Sequence, residues 1–121
     1  MGYDDANIFA RILRGEIPCK KVHETEHALA FHDINPRAPV HVLVIPKGRY
    51  VTLDEFCAKA SPGEIAGYWR ALGETVEKLG VVANGYRVLA NNGRDGHHEV
   101  PHLHFHVFGG RPLGPIIKRA D

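Results

Sequence analysis

The densest group of reactive side chains in this sequence is a run of histidines near its carboxyl end. Residues 102–106 read His-Leu-His-Phe-His, in a chain of 121 residues that has nine histidines. Because side chains alternate across a β-strand, His102, His104 and His106 are predicted to share one face, and the apolar residues between them face the other. Three histidines on one face are more than the polar side of an ordinary half-exposed strand requires, so the pattern indicates chemistry.

Metal coordination is one chemistry that this run permits. Histidines two positions apart on a strand lie about 6.6 Å apart and can converge on one ion, whereas the first and third lie about 13 Å apart. Zinc sites usually have three or four protein ligands, so a complete site would need others, such as His41 or the pair His97 and His98. Because the outer histidines cannot share an ion and no cysteine pair exists, we expect no metal, no cofactor and an activity that survives chelation.

Nucleophilic catalysis by imidazole is the chemistry that the run favours. Histidine has an ordinary pKa near 6.5, so much of it is neutral at pH 7, and unlike serine it needs no base to remove a proton first. Neighbouring imidazoles can fix the tautomer of a nucleophile and carry a proton to the leaving group. His104 is the predicted nucleophile because it alone has a histidine to either side on the same face.

The segment before the run is predicted to bind phosphate. It is a connection of about ten residues, 91–100, whereas hairpin loops usually have about 2–5 residues, and long loops are often functional. Its first six residues, Asn-Asn-Gly-Arg-Asp-Gly, favour exposed backbone N–H groups, which surround phosphate oxygens well.

The elements that position these residues are expected to form one α+β domain of mainly antiparallel strands. A first helix is predicted over residues 7–14, ended by Gly15, and a second from the capping box Ser-Pro-Gly-Glu at 61–64 to Gly80. Trp69 falls on the apolar stripe of the second helix and is predicted to lie in the core. The predicted strands cover residues 22–25, 28–32, 40–45, 86–90 and 102–108.

Composition and charge restrict the possible functions. A chain of this length buries one modest core, so residues 1–121 are expected to form a single domain. The net charge is +1 and basic residues do not cluster, which disfavours a nucleic-acid partner. No apolar run is long enough to span a membrane, so no membrane partner is expected. Cys19 and Cys57 are widely separated and the start lacks a signal-peptide pattern, which favours a cytoplasmic protein.

Several motifs together resemble the histidine triad family. Residues 102–108, His-Leu-His-Phe-His-Val-Phe, have the alternating pattern for which that family is named. The segments 7–18, 30–36 and 39–47 resemble its amino-terminal helix, its base-and-ribose segment and its second signature strand. His-Val-Phe-Gly-Gly-Arg at 106–111 is typical of the Hint branch, the small purine-nucleotide phosphoramidases. The resemblance covers a core of about 8–111 and leaves a short tail, 112–121.

The resemblance implies a five-stranded antiparallel sheet with two helices packed on it, and a homodimer in which two sheets join into one. It also implies a purine ribonucleotide whose α-phosphate lies against His104. His106 would contact the phosphate and the leaving group, and His41 and His102 would lie behind His104 as an orienting network.

The same resemblance implies a set of nucleotide-binding residues. Asp33 would hydrogen-bond the ribose hydroxyls, and Asn91 would contact the phosphate or the ribose. The base-and-ribose segment would also supply His32, and the base pocket would be lined by Phe9, Phe31 and Ile34. The phosphate loop would contain His97, His98 and Glu99.

The chain departs from the family pattern at three places. At 97–99 it has His-His-Glu where many relatives have Gly-Gln followed by Ser or Glu, a change on the leaving-group side. Some relatives bind structural zinc through two cysteines near the first helix, whereas Asn7 and Ala10 occupy those positions here. The tail contains no tryptophan that could reach a partner's site.

The expected function is hydrolysis of purine nucleoside phosphoramidates at the α-phosphorus through a covalent nucleotidyl-histidine, which releases AMP or GMP. A dinucleoside polyphosphate hydrolase or a nucleotidyl transferase would use the same intermediate. A non-catalytic nucleotide-binding regulatory module is an alternative from another class, although an intact triad favours catalysis. A metal-dependent hydrolase is the third.

Overall fold

The computed structural model describes residues 2–117, so residues 118–121 of the predicted tail lie outside the described part. The five strands are β1 (Lys21–Glu24), β2 (Ala28–His32), β3 (Val40–Pro46), β4 (Arg87–Ala90) and β5 (Phe105–Gly109). They form one sheet in the order β1-β2-β3-β5-β4, and every neighbouring pair is antiparallel. The predicted five-stranded antiparallel sheet is confirmed, with β3 at its centre.

Two helices were expected and three are present: α1 (Ile8–Leu13), α2 (Leu53–Lys59) and α3 (Pro62–Lys78). The side chain of Asn7 accepts a hydrogen bond from the Ala10 N–H at 2.9 Å and caps α1. Gly15, at φ +78°, follows α1 in the left-handed conformation that glycine adopts without strain. The capping box of Ser61 and Glu64 is present at the start of α3, as predicted.

Helix α2 was not predicted, although its sequence has a start signal. Thr52 is the N-cap and accepts a hydrogen bond from the Glu55 N–H, so Thr52-x-x-Glu55 is the spacing of a capping box. The carboxylate of Glu55 accepts from the Val51 N–H at 2.7 Å, one residue before the cap. The side chain of Asn92 accepts from the Leu53 N–H at 2.8 Å, which ties the start of α2 to the loop that precedes the histidine run.

The two faces of the sheet are covered by different apolar clusters. The larger cluster joins Val42 and Val44 of β3 to Phe105 and Val107 of β5 and to α3. The smaller cluster lies on the opposite face, where Leu43 and other residues of β2 and β3 pack against Phe9 of α1 and its neighbours. Because side chains alternate along β3 and β5, the histidines of these strands lie on the face that carries α1.

Two sequence predictions at this level were wrong. The last strand begins at Phe105 and not at residue 102, because its ladder partner β3 ends at Pro46, which has no N–H to donate. The Leu103 N–H instead donates to the Tyr50 carbonyl oxygen at 2.8 Å. Trp69 is 42% exposed and rests its ring on the edge of the core, 5.2 Å from the ring of Phe105, rather than lying inside it.

No helix within residues 2–117 is both long enough and apolar enough to cross a membrane.

Candidate active site

A small cavity of about 120 Å³ opens on the α1 face of the sheet, beside the amino end of β5. His104, directly before β5, and His106, on β5, both line it, with their ring centroids 5.1 Å apart. The ring of Phe9 meets the ring of His104 edge-on at 4.9 Å and closes one wall. The structure therefore brings two of the three histidines of the run to one cavity.

The hydrogen bond of His104 fixes which of its nitrogens is free. Its Nδ1 lies 2.7 Å from the carbonyl oxygen of His102. A carbonyl oxygen can only accept, so Nδ1 carries the proton and Nε2 keeps its lone pair. Burial lowers the pKa of His104 below its ordinary value, so the ring is neutral at pH 7. The geometry is that of an uncharged imidazole with one unprotonated nitrogen at a buried cavity.

His102 is fully buried behind His104 and does not line the cavity. Its Nε2–H donates to the Pro46 carbonyl oxygen at 2.8 Å, and its Nδ1 accepts a hydrogen bond from the Tyr3 hydroxyl. Burial lowers the pKa of His102 to about 4, so it too is neutral. His102 acts on His104 through its main-chain carbonyl, while its ring anchors that segment of chain.

His41 lies behind His106 and not behind His104, which differs from the expected arrangement. Its Nδ1 accepts from the Arg37 N–H at 3.2 Å, so the proton of the neutral ring is on Nε2. Nε2–H then donates to Nδ1 of His106 at 2.9 Å, which leaves the proton of His106 on its Nε2. Burial lowers the pKa of His41 below its ordinary value and that of His106 to about 4.

Asp33 completes a cluster with these two rings. Its Oδ2 lies 3.4 Å from Nε2 of His41, and one ligand atom each from Asp33, His41 and His106 all fall within 4.8 Å of one another. That spacing could fit a metal ion. The hydrogen bonds oppose it, because the lone pair of His106 Nδ1 and the proton of His41 Nε2 are already engaged with each other. The absence of a metal stays a prediction that chelation tests.

The loop before the histidine run is folded tightly at the cavity mouth. The Asn91 amide donates to the Gly96 carbonyl oxygen at 2.7 Å. A Cβ at Gly96 would lie 2.3 Å from the Asn92 carbonyl oxygen, so only glycine fits there. His97 has a φ of +62°, and its Nε2 lies 2.8 Å from a carboxylate oxygen of Glu99. Asn91, His97 and Glu99 line the cavity.

His98 belongs to the same loop but turns away from the cavity lining. Its ring centroid lies 5.9 Å from that of His104. Its Nε2 is buried and has no hydrogen-bond partner among the described residues. His98 thus packs beside the predicted nucleophile with one polar atom unsatisfied.

A second, larger cavity of about 730 Å³ adjoins the small one. Asp33 lines both cavities. His32 and Ile34 line only the larger one, where the Ile34 side chain is 86% exposed. Phe31 is buried in the smaller apolar cluster beside Phe9, with ring centroids 5.6 Å apart. The residues expected to contact the base and the ribose therefore do not share one surface. Some line the small cavity, some line the larger one, and Phe31 lies in the apolar cluster.

Two residues at the site were missed by the sequence analysis. Arg37 lines the small cavity, and its position directly after the base-and-ribose segment 30–36, in a loop between Pro36 and Pro39, could have indicated it. Tyr3 contacts His102 although the two residues are 99 positions apart in the sequence, and no local sequence pattern predicts such a contact.

Known proteins resemble this chain both in sequence and in structure. The model of the HIT domain family matches residues 14–113. A 13.2 kDa HIT-like protein of Azospirillum brasilense is 65% identical over 118 residues, which are 98% of this chain and 97% of that protein. The purine nucleoside phosphoramidase of Escherichia coli K12 is 37% identical over 120 residues, which are 93% of this chain and 94% of that protein.

Solved structures give the same result. A HIT family hydrolase from Clostridium thermocellum superposes with a TM-score of 0.85 at 35% identity, over 95% of this chain and 99% of that one. A histidine triad protein from Clostridium difficile has a TM-score of 0.82 at 37% identity, over 92% of this chain and 96% of that one. The histidine pattern, the sheet order and these matches lead to one conclusion: the chain belongs to the HIT, or histidine triad, family.

Proposed function

We propose that this protein hydrolyses purine nucleoside phosphoramidates at the α-phosphorus and releases AMP or GMP through a nucleotidyl intermediate on His104. The observation that carries the proposal is the tautomer of His104. A neutral ring, protonated on Nδ1 by its bond to the His102 carbonyl, has the lone pair of Nε2 available at a cavity wall without prior removal of a proton.

The proposed reaction has two displacements at phosphorus. In the first, a bond forms between His104 Nε2 and phosphorus while the P–N bond breaks, and the departing amine takes a proton from His106. His106 must be in its cationic form to give up this proton and return to a neutral ring. A bound phosphate raises the pKa of His106 and so favours that form, because a nearby negative charge stabilises the protonated ring. In the second, water attacks phosphorus, its proton returns to His106, and the P–Nε2 bond breaks to free the nucleoside monophosphate and restore neutral His104.

The two adjoining cavities suggest how the nucleotide is seated. A volume of about 120 Å³ accommodates a phosphate group beside His104 and His106 but not a nucleoside. The neighbouring volume of about 730 Å³ lies within the range of about 300–1,000 Å³ usual for small-ligand sites. In this proposal Asp33, which lines both, accepts hydrogen bonds from the ribose hydroxyls while the α-phosphate lies in the small cavity.

The similarity to the purine nucleoside phosphoramidase of E. coli supports the choice of leaving group and of purine. We also propose that the protein acts as a homodimer in the cytoplasm, where a reducing environment suits the free thiols of Cys19 and Cys57.

Steady-state hydrolysis of adenosine and guanosine 5′-phosphoramidates tests the proposal. We expect turnover by the wild-type protein and a fall in kcat of at least about 10³-fold in His104→Asn, equivalent to about 4 kcal/mol of barrier, with near-normal AMP binding. His106→Asn should cost less with leaving groups that need no proton. His23→Asn is the matched control, because His23 bonds Glu74 on α3 away from the cavity. A wild-type protein that binds AMP but hydrolyses neither substrate would instead support a regulatory nucleotide-binding module.

Arg37 favours a second candidate, hydrolysis of nucleotides with an anionic leaving group, such as dinucleoside polyphosphates. It is the one arginine or lysine that lines the small cavity within residues 2–117, and a guanidinium stabilises negative charge but gives up no proton. If these are the better substrates, their kcat/KM exceeds that of the phosphoramidates, and Arg37→Gln lowers it more than it lowers phosphoramidate turnover.

A further inference from the structure

The first residues of the chain reach the histidine network from outside the sheet. The Tyr3 hydroxyl donates to Nδ1 of His102, and the two rings meet edge-on with centroids 5.5 Å apart. The guanidinium of Arg49 lies over the Tyr3 ring at 5.1 Å and also pairs with both carboxylate oxygens of Asp5, at 3.0 and 2.8 Å. Tyr3 is thus held against His102 by contacts on both sides.

The contact matters because His102 is joined to His104 by more than the peptide chain. The ring of His102 is fixed at one end by the Pro46 carbonyl oxygen and at the other by Tyr3. The carbonyl of the same residue accepts the Nδ1–H of His104, and that bond sets the direction of the Nε2 lone pair. A rotation of residue 102 therefore changes the direction in which the Nε2 lone pair of His104 points.

We propose that Tyr3 is a positioning residue for the nucleophile: its hydroxyl, together with the Pro46 carbonyl, holds His102 in the Nε2–H tautomer and so fixes the carbonyl that orients His104. The proposal rests on the proposed function and deepens it. The family match begins at residue 14, so Tyr3 lies outside the part of the chain that the family model covers.

The physical basis is the cost of leaving His102 without Tyr3. Nδ1 of a fully buried ring would lose its donor, and an unsatisfied buried acceptor destabilises the folded protein. The ring can reduce that cost by rotating, or by moving its proton to Nδ1 if water enters to accept it. Either change breaks its bond to Pro46 and disturbs the adjacent carbonyl. An attack on phosphorus is sensitive to such movement, since a displacement of about 1 Å can cost about 10²-fold in rate.

Tyr3→Phe removes the hydroxyl and keeps the ring under Arg49. We expect kcat for adenosine 5′-phosphoramidate to fall about 10-fold or more, with KM and AMP affinity within about twofold of wild type, because the substrate contacts are untouched and only the aim of His104 changes. Tyr86→Phe is the matched control: Tyr86 is 48% exposed, and its hydroxyl has no hydrogen bond within the described residues.

Histidine ¹⁵N NMR supplies a readout that needs no substrate. In the wild-type protein His102 should show one tautomer, protonated on Nε2, and in Tyr3→Phe a mixture of tautomers or a shifted Nδ1 resonance. If wild-type turnover of phosphoramidates is absent, the proposed function fails while this spectrum still tests the role of Tyr3.

Three results would overturn the inference. One is a His102 spectrum that is the same in both proteins, and another is a loss of kcat no larger than that of Tyr86→Phe. The third is a loss that appears in KM and AMP affinity as much as in kcat. Arg49→Met is the second variant, which carries the test if Tyr3→Phe does not fold. It keeps the hydroxyl but removes the cation and the Asp5 pair, and it should lower kcat about two- to threefold with KM unchanged.

Discussion

The three histidines of one sequence run are held in two different tautomers by the groups that they contact. His102 carries its proton on Nε2, because Pro46 accepts it, and His104 carries its proton on Nδ1, because the His102 carbonyl accepts it. His106 carries its proton on Nε2, because the His41 N–H occupies its Nδ1. The hydrogen-bond partners thus suit His102 to the proposed role of anchor and His104 to that of nucleophile, whereas His106 becomes a proton donor only when a bound phosphate favours its protonated form.

Asp33 gives a prediction at the same scale. A carboxylate accepts hydrogen bonds from both hydroxyls of a ribose, whereas the Asp33→Asn amide has a single acceptor oxygen. We expect this variant to bind AMP about 10- to 100-fold more weakly, the equivalent of the about 1.5–3 kcal/mol of a hydrogen bond to a charged group. Binding of the 2′-deoxy analogue should weaken less.

Dissociation constants are the appropriate measure for Asp33, because the carboxylate also approaches His41 and its loss could alter kcat by that route. Equal losses for AMP and for the deoxynucleotide would show that Asp33 has another task.

The loop before β5 holds the side chain of His97 in place through a strained backbone conformation. His97 is the one non-glycine residue between positions 2 and 117 with a positive φ, +62°. It stands where the family pattern has glycine. The left-handed conformation costs a side-chain-bearing residue about 1–2 kcal/mol, and in return the His97 ring lies at the cavity mouth beside Glu99. Such strain at a cavity is typical of a functional position.

His97→Gly tests that interpretation. Relief of the strain is partly offset by the greater freedom of glycine in the unfolded chain, about 0.5–1 kcal/mol, so we expect the free energy of unfolding to stay equal or to rise by up to about 1 kcal/mol. Phosphoramidate kcat/KM should fall severalfold. Urea denaturation measures the first quantity. Arg94→Gly, at an ordinary φ in the same loop, should instead lose about 0.5–1 kcal/mol. A His97→Gly protein as destabilised as Arg94→Gly contradicts the claim of strain.

The sequence predicted those elements whose signals are local. Alternation predicted the histidine strand, an apolar and β-branched run predicted β3, and the Ser61 capping box predicted α3. The capping-box spacing Thr52-x-x-Glu55 would have given α2 as well. The start of β5 could not be read from its own residues, since it depends on Pro46 of the neighbouring strand.

At the site, too, features with local sequence signals were predicted and features that depend on tertiary contacts were not. His104 and the cavity loop were identified from spacing and from resemblance. The pairing of His41 with His106 depends on strand register, which sets Leu43 opposite His106, and the contact of Tyr3 with His102 depends on how the chain terminus packs. Both are products of tertiary structure.

At the scale of the whole molecule, the buried histidines make stability depend on pH. Burial lowers the pKa of four of them below 6.5 in the folded state: His41, His102, His104 and His106. Below about pH 6.5 the unfolded chain therefore binds more protons than the folded protein, and the free energy of unfolding decreases as pH falls toward about 4. The stabilising contribution of these neutral rings is fully present above pH 6.5.

We expect the free energy of unfolding to drop by at least about 1 kcal/mol between pH 7.0 and 5.5, at about 1.4 kcal/mol per pH unit for each additional proton bound by the unfolded chain. Lys21 and Lys47 lower the pKa of the Glu24 carboxylate to about 2. Its ion pairs weaken only below about pH 4.5, so they do not change the free energy of unfolding between pH 7.0 and 5.5. Urea denaturation at both pH values, at one protein concentration, measures the difference. Equal stability at pH 7.0 and 5.5 would show that the histidines are not held neutral.

The proposed assembly belongs to the same scale. Strands β1 and β4 are the edges of the sheet, and an unpaired edge is a template for pairing with a second chain. A two-fold dimer with a self-complementary interface is the usual form of such an assembly. Light scattering at micromolar concentration should give about twice the chain mass of 13.4 kDa. A monomer mass would contradict the proposed homodimer.

The proposed mechanism depends on a covalent bond to His104, and trapping that bond is its most direct test. A phosphorylated imidazole is labile in acid, so the protein is mixed with adenosine 5′-phosphoramidate, quenched in alkali and digested, and the peptide containing residues 102–106 is analysed by mass spectrometry. We predict an adenylyl group on Nε2 of His104, absent from His104→Asn and more abundant when hydrolysis is slowed at low temperature. An adduct on another residue, or a His104→Asn protein that still turns over substrate, would contradict the account.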